Sequence, residues 1–249
     1  ELTSRVLKIV TVIPVRMGSS RLPGKVMKPV RGKPLLGHLL DRLDRCRLLE
    51  EIVVTTSVDV ENDVIEAYCV ARGVLCYRGS ELDVLDRVLQ ALLWRQATDG
   101  VMVFGDCPLI DPSIVTEVVD YYLTHQIYDF VGNDLRTTYP PGMEVEVFSV
   151  KALADSAQRC RDITIREHST LYIRTHPEIY RIKNIDAPKR LHRPDLSLGL
   201  DVREDLAIVE AIINTVKKNK VQNLEEIIDF MDNNPHLAML NRHIPRRWK

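Results

Sequence analysis

The 249-residue sequence contains no CxxC pair, and its five cysteines (Cys46, Cys69, Cys76, Cys107 and Cys160) fall at no zinc-ligand spacing. An odd, scattered set argues against a disulfide scaffold and is expected to be reduced, mostly buried thiols in a cytoplasmic protein. No apolar run approaches the roughly 20 residues a membrane helix needs, and no signal-peptide pattern opens the chain. Met is absent from position 1, as in a trimmed or tagged chain. A dominant charge is missing too. Lys and Arg number 34 against 35 Asp and Glu, a net -1, so no nucleic-acid partner held by a basic surface is expected. Neither common glycine fingerprint for nucleotides occurs: there is no GxGxxG, and Val26 follows Lys25 where a Walker A loop needs Ser or Thr. Internal repeats and low-complexity linkers are also absent.

What is present is an alternation of strand and helix signals. Leu7–Val15 reads as a strand buried on both faces, followed beyond Pro34 by an amphipathic helix carrying Leu35, Leu36, Leu39, Leu40 and Leu43. Strand Ile52–Thr56, helix Glu61–Arg72 stopped by Gly73, and strand Val74–Tyr77 come next. Ser80 and Asp83 then look like a capping-box variant opening helix Asp83–Gln96. Strand Val101–Phe104 and helix Ser113–His125 complete the regular half. Such alternation predicts an α/β fold, doubly wound about a mostly parallel sheet, with ligands at the carboxyl ends of its strands. The second half is less regular. Strands are expected at Asp129–Val131, Glu144–Phe148, Tyr180–Ile185 and Leu198–Val202, and helices at Lys151–Arg159, Arg166–Thr175, beyond Glu204 and near Leu224–Met231. The organisation read from this is one domain over 1–249 with an inserted β-rich arm within 133–197.

The chemistry concentrates where the first strand empties into its loop. Gly18, Ser19, Ser20 and Gly24 alternate there with Arg16, Arg21, Lys25 and Lys28. Glycine lets backbone N–H groups approach phosphate oxygens, hydroxyls add donors, and Arg or Lys balances charge, so the loop suits a nucleoside triphosphate. A loop that merely turns the chain would explain the glycines but not the cations.

Other candidates carry two readings each. Asp106, after Gly105 at the end of the fourth strand, is placed to hold Mg2+, or else caps a turn. Asp201 offers a second carboxylate, or an N-cap. Arg78 heads a small cationic turn that contacts ligand or caps a helix. Arg166 reads as an anion ligand, and His168 as a general base or a hydrogen-bonding structural residue. Glu144 and Glu146, on one face of a strand, offer acceptors for substrate hydroxyls, or form a solvated face.

Six stretches in order, Arg16–Val26, Arg78–Arg87, Gly105–Pro112, Tyr139–Phe148, Arg166–His168 and Leu200–Leu206, make the chain resemble the spore-coat polysaccharide biosynthesis protein F family of cytidylyltransferases. That family is related to the enzymes activating 3-deoxy-manno-octulosonate and acylneuraminate. The resemblance implies a nucleotide-diphospho-sugar transferase-like fold, a homodimer, and transfer of CMP from CTP to a sugar acid. It implies that Arg16, Ser20, Arg21 and Lys25 hold the triphosphate, that Asp106 and Asp201 bind Mg2+, and that Asn133, the Tyr139–Glu146 loop, Arg166 and His168 meet the acceptor. The nearest alternatives are a sugar-1-phosphate nucleotidyltransferase using another nucleotide and a glycosyltransferase that binds a nucleotide-sugar.

Overall fold

The computed structural model describes residues 7–216 and 220–246. The first strand, β1 (Ile9–Pro14), lies in the middle of a seven-stranded sheet and is buried on both faces: Val10 and Val12 point to one side, Thr11 and Ile13 to the other. Its β-branched residues suit such a position. After the cation-bearing loop, a short antiparallel pair, β2 (Pro29–Val30) with β3 (Lys33–Pro34), turns the chain into α1 (Leu35–Leu43). Leu35, Leu36, Leu39, Leu40 and Leu43 of α1 are fully buried, each contributing about 1.5–3 kcal/mol of apolar burial. Strand β4 (Ile52–Ser57), helix α2 (Asp63–Arg72) and strand β5 (Leu75–Gly79) follow. Gly73 ends α2 at φ 74, a left-handed conformation natural to glycine.

Helix α3 (Val84–Trp94) is capped by the Asp83 side chain, which accepts from the Asp86 amide; Ser80 accepts from the Asp83 amide one step earlier. Strand β6 (Asp99–Val103) and α4 (Pro112–Thr124), with Asp111 as cap and Pro112 at its start, complete the regular half. Thereafter come β7 (Phe130–Gly132), β8 (Val145–Ser149), α5 (Val150–Arg159), α6 (Ile163–Arg166), α7 (Leu171–Thr175), β9 (Ile182–Asn184), α8 (Arg203–Thr215), α9 (Leu224–Asn233) and α10 (Pro235–Asn241). None of the described helices is long and apolar enough to cross a membrane.

The strand order is β5-β4-β1-β6-β8-β7-β9, and β8 alone runs antiparallel to its neighbours. Strands expected in an arm thus extend the central sheet. One face packs against α1, α2, α4, α8 and α9, the other against α3, α5 and α7, so the sheet is doubly wound and mostly parallel. The connections diverge on either side of β1, and the carboxyl ends of β1 and β6 at that switch point are where doubly wound sheets place their ligand crevice.

Two expected elements differ. Leu198–Val202 is no strand. Leu198 and Leu200 are buried, but their amides donate to Pro141 O (2.7 Å) and Asp106 O (2.8 Å), contacts with two loops rather than a ladder. Buried leucines therefore gave the apolar run without a strand. The helix expected over Arg166–Thr175 is broken into α6 and α7 by a turn in which the Leu171 amide donates to His168 O at 2.8 Å.

The Leu198–Leu200 crossing depends on Gly142. Its φ is +107, and a Cβ there would lie 2.5 Å from the Gly199 nitrogen. Gly142→Ala is expected to destabilise the protein by more than about 1 kcal/mol, read as a lowered midpoint in thermal or urea denaturation; an unchanged midpoint would show that the loops can part without penalty.

Candidate active site

The loop leaving β1 is closed on itself by the Gly24 amide, which donates to Met17 O at 2.9 Å, with Gly24 at φ 65. The buried Asn62 pins its other end by accepting from the Met17 amide at 2.8 Å. Ser19 Oγ faces the Leu22 amide at 3.4 Å, and Gly18 and Ser20 are exposed. Alongside, the loop leaving β6 approaches so closely that a Cβ on Gly105 would fall 2.2 Å from Val15 Cγ1. Close packing of the two loops, rather than an unusual dihedral, demands this glycine.

Asp106 thereby faces Lys25. The Lys25 ammonium is 3.7 Å from Asp106 Oδ2 and 3.8 Å from Asp201 Oδ1, and donates to Leu200 O at 2.8 Å. Arg21 pairs directly with Asp201. Two carboxylates from distant segments thus converge on one cation. That arrangement fits Mg2+, which accepts few protein carboxylates and completes its octahedron with phosphate oxygens and water. No group of three or more His, Cys, Asp or Glu is gathered for a metal among the described residues.

Glu144 closes the other side of Asp106. Its carboxylate accepts from the Gly142 amide at 2.9 Å, and the buried Cys107 thiol donates to its Oε2 at 3.2 Å while lying 3.6 Å from Asp106 Oδ1. Burial pushes the Glu144 carboxyl up to about 7; the Asp134 charge adds to the rise and the Gly142 N–H opposes it. The same burial, with Glu144 and Asp106 next to it, raises the Cys107 thiol well above its ordinary range.

Several expected contacts are engaged in holding the fold. Arg78 bonds Asp63 (2.6 Å), Glu66 (2.8 Å) and the carbonyls of Ser57 and Asp59, so it ties β5 to α2. Arg166 donates to Asp83 Oδ2 (2.8 Å) and to the carbonyls of Ala157 and Cys160, joining α6 to α3 and α5. Asn133 spans the β7–β8 loop, donating to Met143 O and accepting from the Val145 amide. Tyr139 is packed in the core, where burial pushes its hydroxyl up to about 12. Glu146 is buried beneath α7, accepting from Thr170 (2.6 Å) and Arg174 (3.2 Å), not lying on a solvated face.

Arg16 stands at the crevice and bridges Glu81 (3.0 Å) and Glu167 (3.3 Å). His168 follows Glu167; burial lowers its imidazole's affinity for a proton, the Arg174 and Arg16 charges add to this, and Glu167 opposes it. Reasoning from sequence missed Asn62, Asp205, Asn241 and Arg246. The last three meet at the N-terminus of α8 behind Asp201, where the buried Asp205 carboxylate accepts from the Asp201 amide at 2.9 Å. Asp205 stood in plain view within the Leu200–Leu206 motif; for Asn241 and Arg246 no local pattern signals the contact.

A doubly wound sheet with a cation-bearing loop and two convergent aspartates at its switch point has the form of a nucleotidyl-transfer enzyme. The cytidylyltransferase family model matches residues 10–239, and the chain belongs to that family. It is similar to spore coat polysaccharide biosynthesis protein SpsF of Bacillus subtilis, at 30% identity over 92% of this chain and 96% of that one. An 8-amino-3,8-dideoxy-manno-octulosonate cytidylyltransferase of Shewanella frigidimarina is 31% identical over 48% of this chain and 49% of its own length. Among solved structures, a cytidylyltransferase from Leptospira borgpetersenii matches with a TM-score of 0.90 at 29% identity, covering 96% of this chain and 100% of that chain.

The raised Glu144 carboxyl has a consequence for stability. Below about 4.5, the ordinary value, folded and unfolded chains both carry its proton; between there and about 7 only the folded chain retains it. Stability therefore falls as pH rises through this window, and the loss is complete above it. Glu144→Gln is expected to gain stability relative to the parent between pH 5 and pH 8, measured by urea denaturation at both. The same difference at each pH would show that Glu144 does not titrate in the window.

Proposed function

We propose that the protein is a Mg2+-dependent cytidylyltransferase that transfers CMP from CTP to a sugar acid of the nonulosonic or octulosonic type, with release of pyrophosphate, in surface polysaccharide synthesis. The observation that carries this reading is the Lys25 ammonium set 3.7 Å and 3.8 Å from Asp106 and Asp201 at the β1–β6 crevice. The names of the B. subtilis and S. frigidimarina relatives support the polysaccharide and sugar-acid parts.

In the reaction, an acceptor hydroxyl oxygen attacks the α-phosphorus of CTP in line. The bond to pyrophosphate breaks as the new P–O bond forms. The chain's part is positioning and charge stabilisation. Arg21 and Lys25 neutralise the departing pyrophosphate, and Arg16 adds a third cation on the approach to the loop. Asp106 and Asp201 would hold Mg2+, which when bound supplies charge neutralisation at phosphate oxygens and acidifies the attacking hydroxyl. Glu144, joined to Asp106 through Cys107, and His168, beside Arg16 and Glu167, meet the acceptor, whereas Asn133, Tyr139, Glu146 and Arg166 act on it through the loops and helices they hold.

The reading also takes the chain as a single catalytic domain acting as a cytoplasmic homodimer, with residues 133–197 contributing to pairing and acceptor contact; the family resemblance supports this. Light scattering on a sizing column is expected to give twice the monomer mass of 28.5 kDa, and a single-chain mass would remove the dimer.

Asp106→Asn and Asp201→Asn are each expected to lower kcat by about 10²-fold or more, with a smaller effect on the KM for CTP, in a pyrophosphate-release assay with sugar-acid acceptors. Near-normal turnover in both variants would sink the metal role. CTP with Mg2+ is expected to raise the melting temperature more than GTP, UTP or ATP does. A preference for another nucleotide would contradict the assignment of CTP.

A further inference from the structure

Behind Asp201 the chain's last described segment closes a ring of contacts. Asp205 on α8 has a fully buried side chain, and its Oδ2 accepts from the amides of Asp201 (2.9 Å) and Val202 (3.0 Å). Asn241, at the end of α10, donates to Asp205 Oδ1 at 2.7 Å. Arg246 grips the same carboxylate with both arms of its guanidinium, NH1 to Oδ2 at 3.0 Å and NH2 to Oδ1 at 2.9 Å. One residue earlier, Pro245 O accepts from Arg21 NH1 at 3.4 Å, and Arg21 itself pairs with Asp201. The path thus runs from Arg21 to Asp201, through its backbone to Asp205, on to Arg246 and Pro245, and back to Arg21.

We propose that Arg246 is a positioning residue for Asp201, and that the segment Asn241–Arg246 is a strap setting the relative placement of Arg21 and Asp201. This rests on the reading of Asp201 as a carboxylate that holds the divalent cation. Asp201 sits at the end of an irregular crossing, not of a strand, so no sheet ladder fixes its backbone. Asp205 supplies that fixation, and the bidentate fork of Arg246 restrains Asp205 in both position and rotation, which a single point charge would not do. Three donors besides Arg246 reach Asp205, the Asp201 and Val202 amides and the Asn241 side chain, so the helix start persists when Arg246 is removed while the aim of Asp201 loosens. Outer-shell partners that orient a metal carboxylate act in this way.

The test uses the full chain and the variants Arg246→Ala, Arg246→Lys and Asp201→Asn. Mn2+ binding in the presence of CTP is read by electron paramagnetic resonance, beside kcat, KM for CTP and melting temperature. Arg246→Ala is expected to weaken Mn2+ binding and lower kcat by about 10–100-fold, with a smaller change in KM, and Arg246→Lys to recover part of both. Parental Mn2+ affinity and kcat in Arg246→Ala overturn the proposal, whatever happens to its melting temperature. If Arg246→Ala does not fold, Arg246→Gln takes its place under the same criteria. Loss of Mn2+ binding in Asp201→Asn together with a parental Arg246→Ala refutes the strap alone. Parental Mn2+ binding in Asp201→Asn removes the underlying site reading and the strap with it.

Discussion

Two cations and two carboxylates are held within a few ångströms of one another at the carboxyl ends of β1 and β6, and most of the surrounding structure serves that juxtaposition. Lys25 is the pivot. Its ammonium faces Asp106 from one loop and Asp201 from a segment 176 positions on, and its hydrogen bond to Leu200 O registers the two sides. Asp106 and Asp201 repel each other when both are ionised, so an arrangement that brings them together requires positive charge between them. Lys25 supplies it here, together with Arg21 on Asp201.

Around this cluster the fold distributes rigidity unequally. Asp106 follows directly from β6, whose neighbours on both sides are paired. Asp201 has no such support. Its approach is fixed by main-chain bonds to the Pro141 and Asp106 carbonyls, by the contact between Gly142 and Gly199, and by Asp205. One carboxylate therefore sits in the turn just past a paired strand and the other among loops. The loop that carries Arg21 and Lys25 lies between these extremes, closed by its own backbone and anchored by Asn62.

This division also marks what could be read from the linear chain. The first half was legible because hydrophobic period, glycine stops and capping side chains act over a few residues: Gly73, Asp83 and Asp111 all do what their positions suggest. The cation-bearing loop was legible for the same reason, since its cations and small residues are contiguous. Leu198–Val202 misled because burial alone produces an apolar run, and periodicity cannot tell a buried crossing from a buried strand. The partners of Arg166 and Glu146, Asp83 and Arg174, were not legible because helix packing brings them in from distant parts of the chain. Asn241 and Arg246 were invisible for the same reason in reverse: an unremarkable polar tail meets a buried carboxylate only once α8 and α10 are packed.

Cys107 is a nucleophile by type, next to Asp106 and buried beneath the site, yet its surroundings deny it that chemistry. A thiol enclosed between two carboxylates cannot readily shed its proton, and the thiolate is the form that attacks electrophiles and oxidants. The sulfur serves instead as a neutral spacer that donates its one proton weakly to Glu144 and lies between that carboxyl and Asp106. A site so furnished should tolerate alkylating and oxidising agents that silence enzymes with a thiolate at the same place.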